Sequence, residues 1–167
     1  MKSVVNRLIS LGITFPFSDE TFDGVVGSQV LEHVFNPSVF LSEVARVLKS
    51  HGHLLLTVPF VWDEHEQPYD YARYSSFGLK HLLEEHGLQV EAQQKTMHDL
   101  RAVIQIINMY IYKGSARLRK TRIGTLLATL LLNAPFNVLG SLLWRVFPSS
   151  PDLYLDSVVL ARKMSSE

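Results

Sequence analysis

Glu32 and His33 stand side by side at the end of a short apolar run, "DGVVGSQVLEHV" (23–34), with Ser28 and Gln29 just before them. A carboxylate next to an imidazole can take up, hold or orient a proton, the basic requirement of general acid–base chemistry. A second polar concentration follows in "VWDEHEQPYDYARYS" (61–75), which carries His65, Tyr69, Asp70, Tyr71, Arg73 and Tyr74. Aromatic walls with a few placed polar groups are what a small-molecule pocket needs. Each feature also has a plain structural reading. Glu32 can cap or pair locally, His33 can pack at a strand exit, and 61–75 can be a solvated loop. Asp63, Glu64, His65 and Glu66 are consecutive, so they do not all point inward, and no metal site is expected from them. "HGH" (51–53) offers two imidazoles, too few for a metal centre, and reads as turn chemistry.

These groups need a scaffold, and the periodicity supplies one. "DGVVGSQ" (23–29) reads as a short strand. "NPSVFLSEVARVLKSHG" (36–52) reads as a helix, with Asn36 as cap, Pro37 in the first turn and Gly52 as stop. "HLLLTVPF" (53–60) is continuously apolar and reads as a strand buried on both faces. A second capped helix is expected at 75–87, a strand at 88–97, a helix at 98–112 and a terminal strand at 152–163; a short helix fits 3–11. Strands alternating with helices imply an α/β fold with helices packed on a mostly parallel sheet, in one domain over 1–167. Ligands of such sheets lie outside the carboxyl ends of the strands, where Ser28 to His33 and the 61–75 loop fall.

Sixteen Lys/Arg balance sixteen Asp/Glu in the 167 residues, so net charge gives no general attraction to nucleic acid. There is no cysteine, which removes disulfides and thiolate zinc sites and fits a cytoplasmic chain. The opening "MKSVVNRLISLG" is too short and polar for a secretion signal. Charge is nevertheless unevenly spread. "KGSARLRKTR" (113–122) holds five basic residues and no acid, and "IGTLLATLLLNAPFNVLGSLLW" (123–144) holds no charge at all. Residues 113–147 read as a basic and hydrophobic helical insert. Pro135, between Asn133 and Asn137, is expected to divide the apolar run into two short helices. The insert can pack on the sheet, make a peripheral membrane contact with its cations on anionic headgroups, or cross a bilayer.

Three stretches together carry a family resemblance: "FPFSDETFDGVVGSQVLEHVFNP", "FLSEVARVLKSHGHLLLTVPF" and "YSSFGLKHLLEEHGLQVE". In order and spacing, over about residues 14–92, they resemble the second half of class I S-adenosylmethionine-dependent methyltransferases, closest to the type 11 group. The closing "LDSVVLARK" is similar to that family's final antiparallel strand. The resemblance implies an incomplete Rossmann-like sheet supplying strands equivalent to four to seven. It implies S-adenosylmethionine near Phe15, Phe17, Ser28 and Gln29, with Tyr69, Asp70, Arg73 and Tyr74 lining the acceptor pocket. Glu32, His33 and His65 are then the candidates for proton handling. Related quinone O-methyltransferases hold a divalent metal with an E-x-x-E-H pattern; Gln29 stands in its first position here, so no metal is expected. No G-x-G occurs, so the glycine-rich cofactor turn of the family's first strand has no counterpart in the sequence. The expectation is a methyltransferase-like chain acting on a small-molecule or lipid-linked acceptor, N-terminally truncated relative to the family. The alternative is a non-catalytic derivative that binds a membrane or a protein partner. Strand 23–29 should lie at a sheet edge, where it pairs with a second copy or a partner chain or is covered by residues 1–13.

Overall fold

The structure is a computed structural model that describes residues 14–165, which divide into two compact units: one of residues up to Gln94 together with the segment from Asp156, the other Lys95–Leu155. The first unit is a four-stranded sheet with strands β1 (Phe22–Ser28), β2 (Leu48–Pro59), β3 (Leu88–Lys95) and β4 (Asp156–Lys163), in the order β1-β2-β4-β3. β1 and β2 are parallel; β2 and β4 are antiparallel, as the closing strand's resemblance implied. The result is a mixed sheet of the Rossmann-like methyltransferase kind, incomplete relative to that fold.

Helix α1 (Pro37–Val47) follows a 3-10 turn at Leu31–His33, and α2 (Ser76–Glu84) follows the 61–75 loop. Both start where capping chemistry dictates. Asn36 accepts from the Val39 amide at 3.3 Å and Ser75 from the Gly78 amide at 3.2 Å. After α2 the chain turns into β3 through Gly87, whose φ of +70° is the left-handed region that glycine enters without cost. Leu41 and Val44 of α1, Leu79 and Leu83 of α2, and Leu54, Leu56 and Val58 of β2 form one buried core with Leu88, Val159 and Ala161.

Both helices therefore cover the same face of the sheet. The helix expected over 36–52 ends at Val47, and Gly52 is not its stop: residues 48–52 and the HGH segment 51–53, expected as a turn, belong to β2, which pairs with β1 from Leu48 onward. β2 also differs from the expectation of burial on both faces. Its residues alternate: Leu54 and Leu56 are buried, while Leu55 is 40% exposed and Val26, on the neighbouring strand, 72% exposed. β1 is an edge strand among the described residues, as expected of strand 23–29. Residues 1–13, which include the expected helix 3–11 and the expected cover for that edge, lie outside the described residues.

The second unit is built on α3 (Leu100–Gly114) and α4 (Arg122–Leu143), joined through a 3-10 turn at Leu118–Lys120. Asp99 caps α3 by accepting from the Arg101 amide at 2.8 Å, and Thr121 caps α4 by accepting from the Gly124 amide at 3.0 Å. Pro135 does not end the helix as expected. A π turn over Thr129–Asn133 precedes it, and the widened ladder absorbs the hydrogen bond that proline cannot donate.

The alternation along β2 sets a prediction. Leu56→Ala should lower unfolding free energy by about 3 kcal/mol, whereas Leu55→Ala should cost under about 1 kcal/mol, since only the first opens a cavity. Urea unfolding of both variants checks this; equal losses would contradict the register.

Candidate active site at the carboxyl end of β1

β1 delivers its exit residues through a strained step. Gln29 has φ of +52°, left-handed for a non-glycine residue, while its amide still bonds the Thr57 carbonyl of β2 at 3.0 Å. That step turns the chain into the 3-10 turn carrying Glu32 and His33. The Glu32 carbonyl then accepts from the Tyr71 amide at 2.8 Å and the Ala72 amide at 3.3 Å. His33 Nδ1 donates to the Tyr69 carbonyl oxygen at 2.7 Å, which in the neutral ring leaves Nε2 as an unprotonated acceptor. The 61–75 loop is thus fastened to the strand exit by backbone bonds, and His65 is brought to Glu32 and His33.

One ligand atom from each of Glu32, His33 and His65 lies within 4.8 Å of the others. The two imidazoles meet edge to face with centroids 4.8 Å apart, and His33 Nε2 is 3.8 Å from Glu32 Oε1. Glu32 is fully buried, and neither carboxylate oxygen has a hydrogen-bond partner. Burial pushes its carboxyl above the usual glutamate range, and a backbone hydrogen bond and the charge of Arg73 offset this only in part. A carboxylate raised in this way binds a proton more readily than an exposed one, which suits a proton acceptor. The same one-carboxylate, two-imidazole set is also a donor set that a borderline divalent cation accepts.

Asp70 and Arg73 support the cluster from behind. Arg73 donates to both Asp70 oxygens, at 2.5 and 2.7 Å, and to the Asp63 carbonyl at 2.7 Å. Asp70 in turn accepts from the His65 amide at 2.9 Å. The Arg73 guanidinium, aided by that amide bond, holds the Asp70 carboxyl down at about 2 despite its burial. Beside them opens a cleft of about 210 Å³ lined by Trp62, Glu64, Asp70, Tyr71, Ala72 and Arg73.

The remaining residues singled out from sequence fall in different places. Tyr74 packs half-buried against the core, where burial, and secondarily Glu32, raises its hydroxyl. Tyr69 contributes its backbone, and its side chain is 56% exposed. The Ser28 hydroxyl accepts from Thr57 at 3.2 Å, and the Gln29 amide donates to Thr57 and Asp156, each at 3.3 Å. Phe15 and Phe17 are not brought to these. Phe17 stacks edge to face on Phe22 at the amino end of β1, a strand length of about 20 Å from Ser28. That segment is clamped by Arg46, which donates to the Phe17 and Phe15 carbonyls at 2.9 and 3.2 Å and pairs with Glu43 and Asp19. Trp62 and the Arg46 clamp were not singled out from sequence. Trp62 borders the polar loop and could have been read with its tyrosines; Arg46 looks like an ordinary last-turn cation of a helix.

Two outcomes follow. Glu32 binds its proton more tightly folded than unfolded, so its contribution to stability is present in acid and lost as pH rises through the folded value. Glu32→Gln should therefore gain in melting temperature relative to wild type between pH 5 and pH 8, and a difference independent of pH would contradict this. Asp70 is the opposite case: its contribution is present above about pH 4 and lost as pH falls towards 2. Arg73→Ala leaves that buried carboxylate unpaired and should cost on the order of 3 kcal/mol in urea unfolding at pH 7.

Residues 5–56 match a family model described as a methyltransferase domain. No curated protein matches the chain. Among solved structures, the 4+2 cyclase SpnF matches with a TM-score of 0.56 at 18% identity, over 93% of this chain and 54% of the cyclase. Phosphoethanolamine N-methyltransferase 2 of Haemonchus contortus, in complex with S-adenosyl-L-methionine, matches with a TM-score of 0.53 at 15% identity, over 90% of this chain and 35% of the enzyme. The same enzyme with phosphomonomethylethanolamine and S-adenosylhomocysteine gives a TM-score of 0.52. The chain thus spans about half or less of the length of these structures. The sheet thus has the Rossmann-like fold found in S-adenosylmethionine-dependent methyltransferases, in incomplete form, and residues 5–56 are similar to a methyltransferase domain.

Proposed function

We propose that the chain forms the acceptor side of an S-adenosylmethionine-dependent methyltransferase acting on a small-molecule or lipid-linked acceptor. The observation that carries this is the convergence of Glu32, His33 and His65 on one point at the carboxyl end of β1, beside the Trp62–Arg73 cleft. S-adenosylmethionine, when bound, supplies an electrophilic methyl group. The chain's own residues would do the rest. Trp62 and Tyr71 would hold the acceptor's apolar part, and Arg73 or Glu64 its polar part. The acceptor's O–H or N–H would lose its proton to Glu32, whose raised proton affinity favours that transfer. His33 and His65 would steady the resulting charge. Holding the acceptor in line with the methyl carbon supplies most of the rate.

The fit to the methyl donor is uneven. Ser28 and Gln29 offer polar groups at the strand end where its methionine portion would lie, while no glycine-rich turn is encoded. The reading therefore requires further donor contacts from outside residues 14–165. The β1 edge is suited to bring a second copy or a partner chain alongside. A second reading, a non-catalytic module that binds a membrane or a protein partner, draws support from the exposed apolar residues of α4.

Calorimetry of the full chain with S-adenosylhomocysteine separates the two. A saturable heat of binding is expected; no heat at millimolar ligand would favour the non-catalytic reading. In any methyl-transfer assay that shows turnover, Glu32→Gln should lower the rate by about 10²–10⁴-fold with donor affinity unchanged.

A further inference from the structure

The second unit has its polarity reversed relative to an ordinary helical hairpin. The seam between α3 and α4 carries a polar cluster beside the apolar contact of Ile104 with Gly140. Asn108 Nδ2 donates to Asn137 Oδ1 at 2.8 Å, and Asn133 Nδ2 donates to the Asn108 carbonyl at 2.9 Å. Arg119 closes the seam's end, donating to Asn133, to the Thr129 hydroxyl at 3.0 Å and to the Ser115 hydroxyl at 3.0 Å. Gly140 lets the helices approach: a Cβ there would sit 3.2 Å from the Ile104 side chain. The hydrocarbon is outside. Ile123, Leu127, Leu131, Val138 and Leu142 recur at helical spacing along α4, and each is at least half exposed. Of the most apolar 18-residue window of α4, only 11% is buried. In water this arrangement wastes apolar burial; against hydrocarbon it is the favourable one, since inward polar groups satisfy each other.

Charge points to the same occupant. Lys95–Leu155 contains eight Lys/Arg and two Asp/Glu, a net charge of +6 in a chain whose total is zero. Arg117, Lys120 and Arg122 are exposed at the turn joining α3 to α4. The opposite end carries Arg101 and Arg145, whose guanidinium groups lie 4.3 and 5.0 Å from the ring centre of Trp144. Cations and an indole flanking an apolar stripe match the headgroup zone and its boundary with the acyl chains.

We propose that this hairpin is a docking element for an anionic lipid surface, lying in the plane of one leaflet. Crossing is disfavoured by geometry. α4 is long enough, at about 33 Å, but α3 is only about 22 Å, short of the ~30 Å hydrocarbon core. Both ends of the unit continue into strands of a single sheet, β3 and β4, so the chain must return to the side it left. A basic turn at the hairpin's tip would have to traverse the bilayer in any tip-first insertion, whereas in-plane docking leaves every cation among the headgroups. The proposal does not depend on methyl transfer and can hold for either functional reading.

Flotation of the full-length protein with vesicles tests it. Binding to phosphatidylcholine mixed with phosphatidylglycerol is expected, with little to phosphatidylcholine alone. Arg117→Gln with Lys120→Gln should weaken the anionic-vesicle binding roughly thirtyfold. Leu131→Glu with Leu142→Glu should abolish it, with the circular dichroism spectrum unchanged. Absence of binding to anionic vesicles, or binding insensitive to either pair, would overturn the proposal. So would a dimer in sedimentation that Leu131→Glu dissociates and vesicles do not, since a second copy would then be the occupant.

Discussion

The two amide hydrogen bonds from Tyr71 and Ala72 to the Glu32 carbonyl are the constraint on which the site depends. They tie a loop thirty to forty residues downstream to the exit of β1, and everything chemical follows from that fastening. His65 arrives beside Glu32 because the loop is held. Asp70 and Arg73 form their ion pair, with the Asp70 carboxylate largely enclosed and Arg73 part-exposed, within the loop held at this turn. Glu32 itself gives its carbonyl to the loop and keeps its carboxylate unpartnered. A fully buried, unpartnered carboxylate costs stability, and such costs concentrate where function needs a perturbed group.

The sheet explains why the fastening occurs at this place. β1 and β2 run parallel, so both end at the same edge, and each is followed there by irregular chain. The strand exits converge, and the one helix-covered face leaves that edge open to ligands. Gln29 in its left-handed conformation redirects the first exit towards the second. Its side chain, bonded to Thr57 and Asp156, ties three neighbouring strands together at their ends. For this reason Gln29 serves the scaffold and stands apart from the Glu32, His33 and His65 cluster.

Much of this was legible in the sequence, and the reasons for the failures are physical. Asn36, Ser75 and Gly87 sit where their side-chain and backbone chemistry demands, but the end of the first helix was misplaced: residues 48–52, Gly52 included, extend β2, because pairing with β1 overrides the local helical pattern. The nearness of Glu32 and His33 is a matter of adjacency. Their meeting with His65 was only a suggestion from residue type, because it depends on backbone bonds that no side-chain pattern encodes. Burial of β2 on both faces was inferred from composition alone, and composition does not reveal that the described helices α1 and α2 cover a single face. Pro135 was read as a helix end because a π turn, a rare accommodation, leaves no local signature. The reversed polarity of the α3–α4 hairpin was hidden for a similar reason: whether Asn108, Asn133 and Asn137 face inward depends on how two helices pack.

The central claim is that Glu32 is a buried proton acceptor held in place by the loop. Its most direct test is a carbon-13 nuclear magnetic resonance titration of the side-chain carboxyls. One glutamate resonance, lost in Glu32→Gln, is expected to have a midpoint clearly above the usual glutamate range. A Glu32 resonance that titrates together with the exposed glutamates would contradict it.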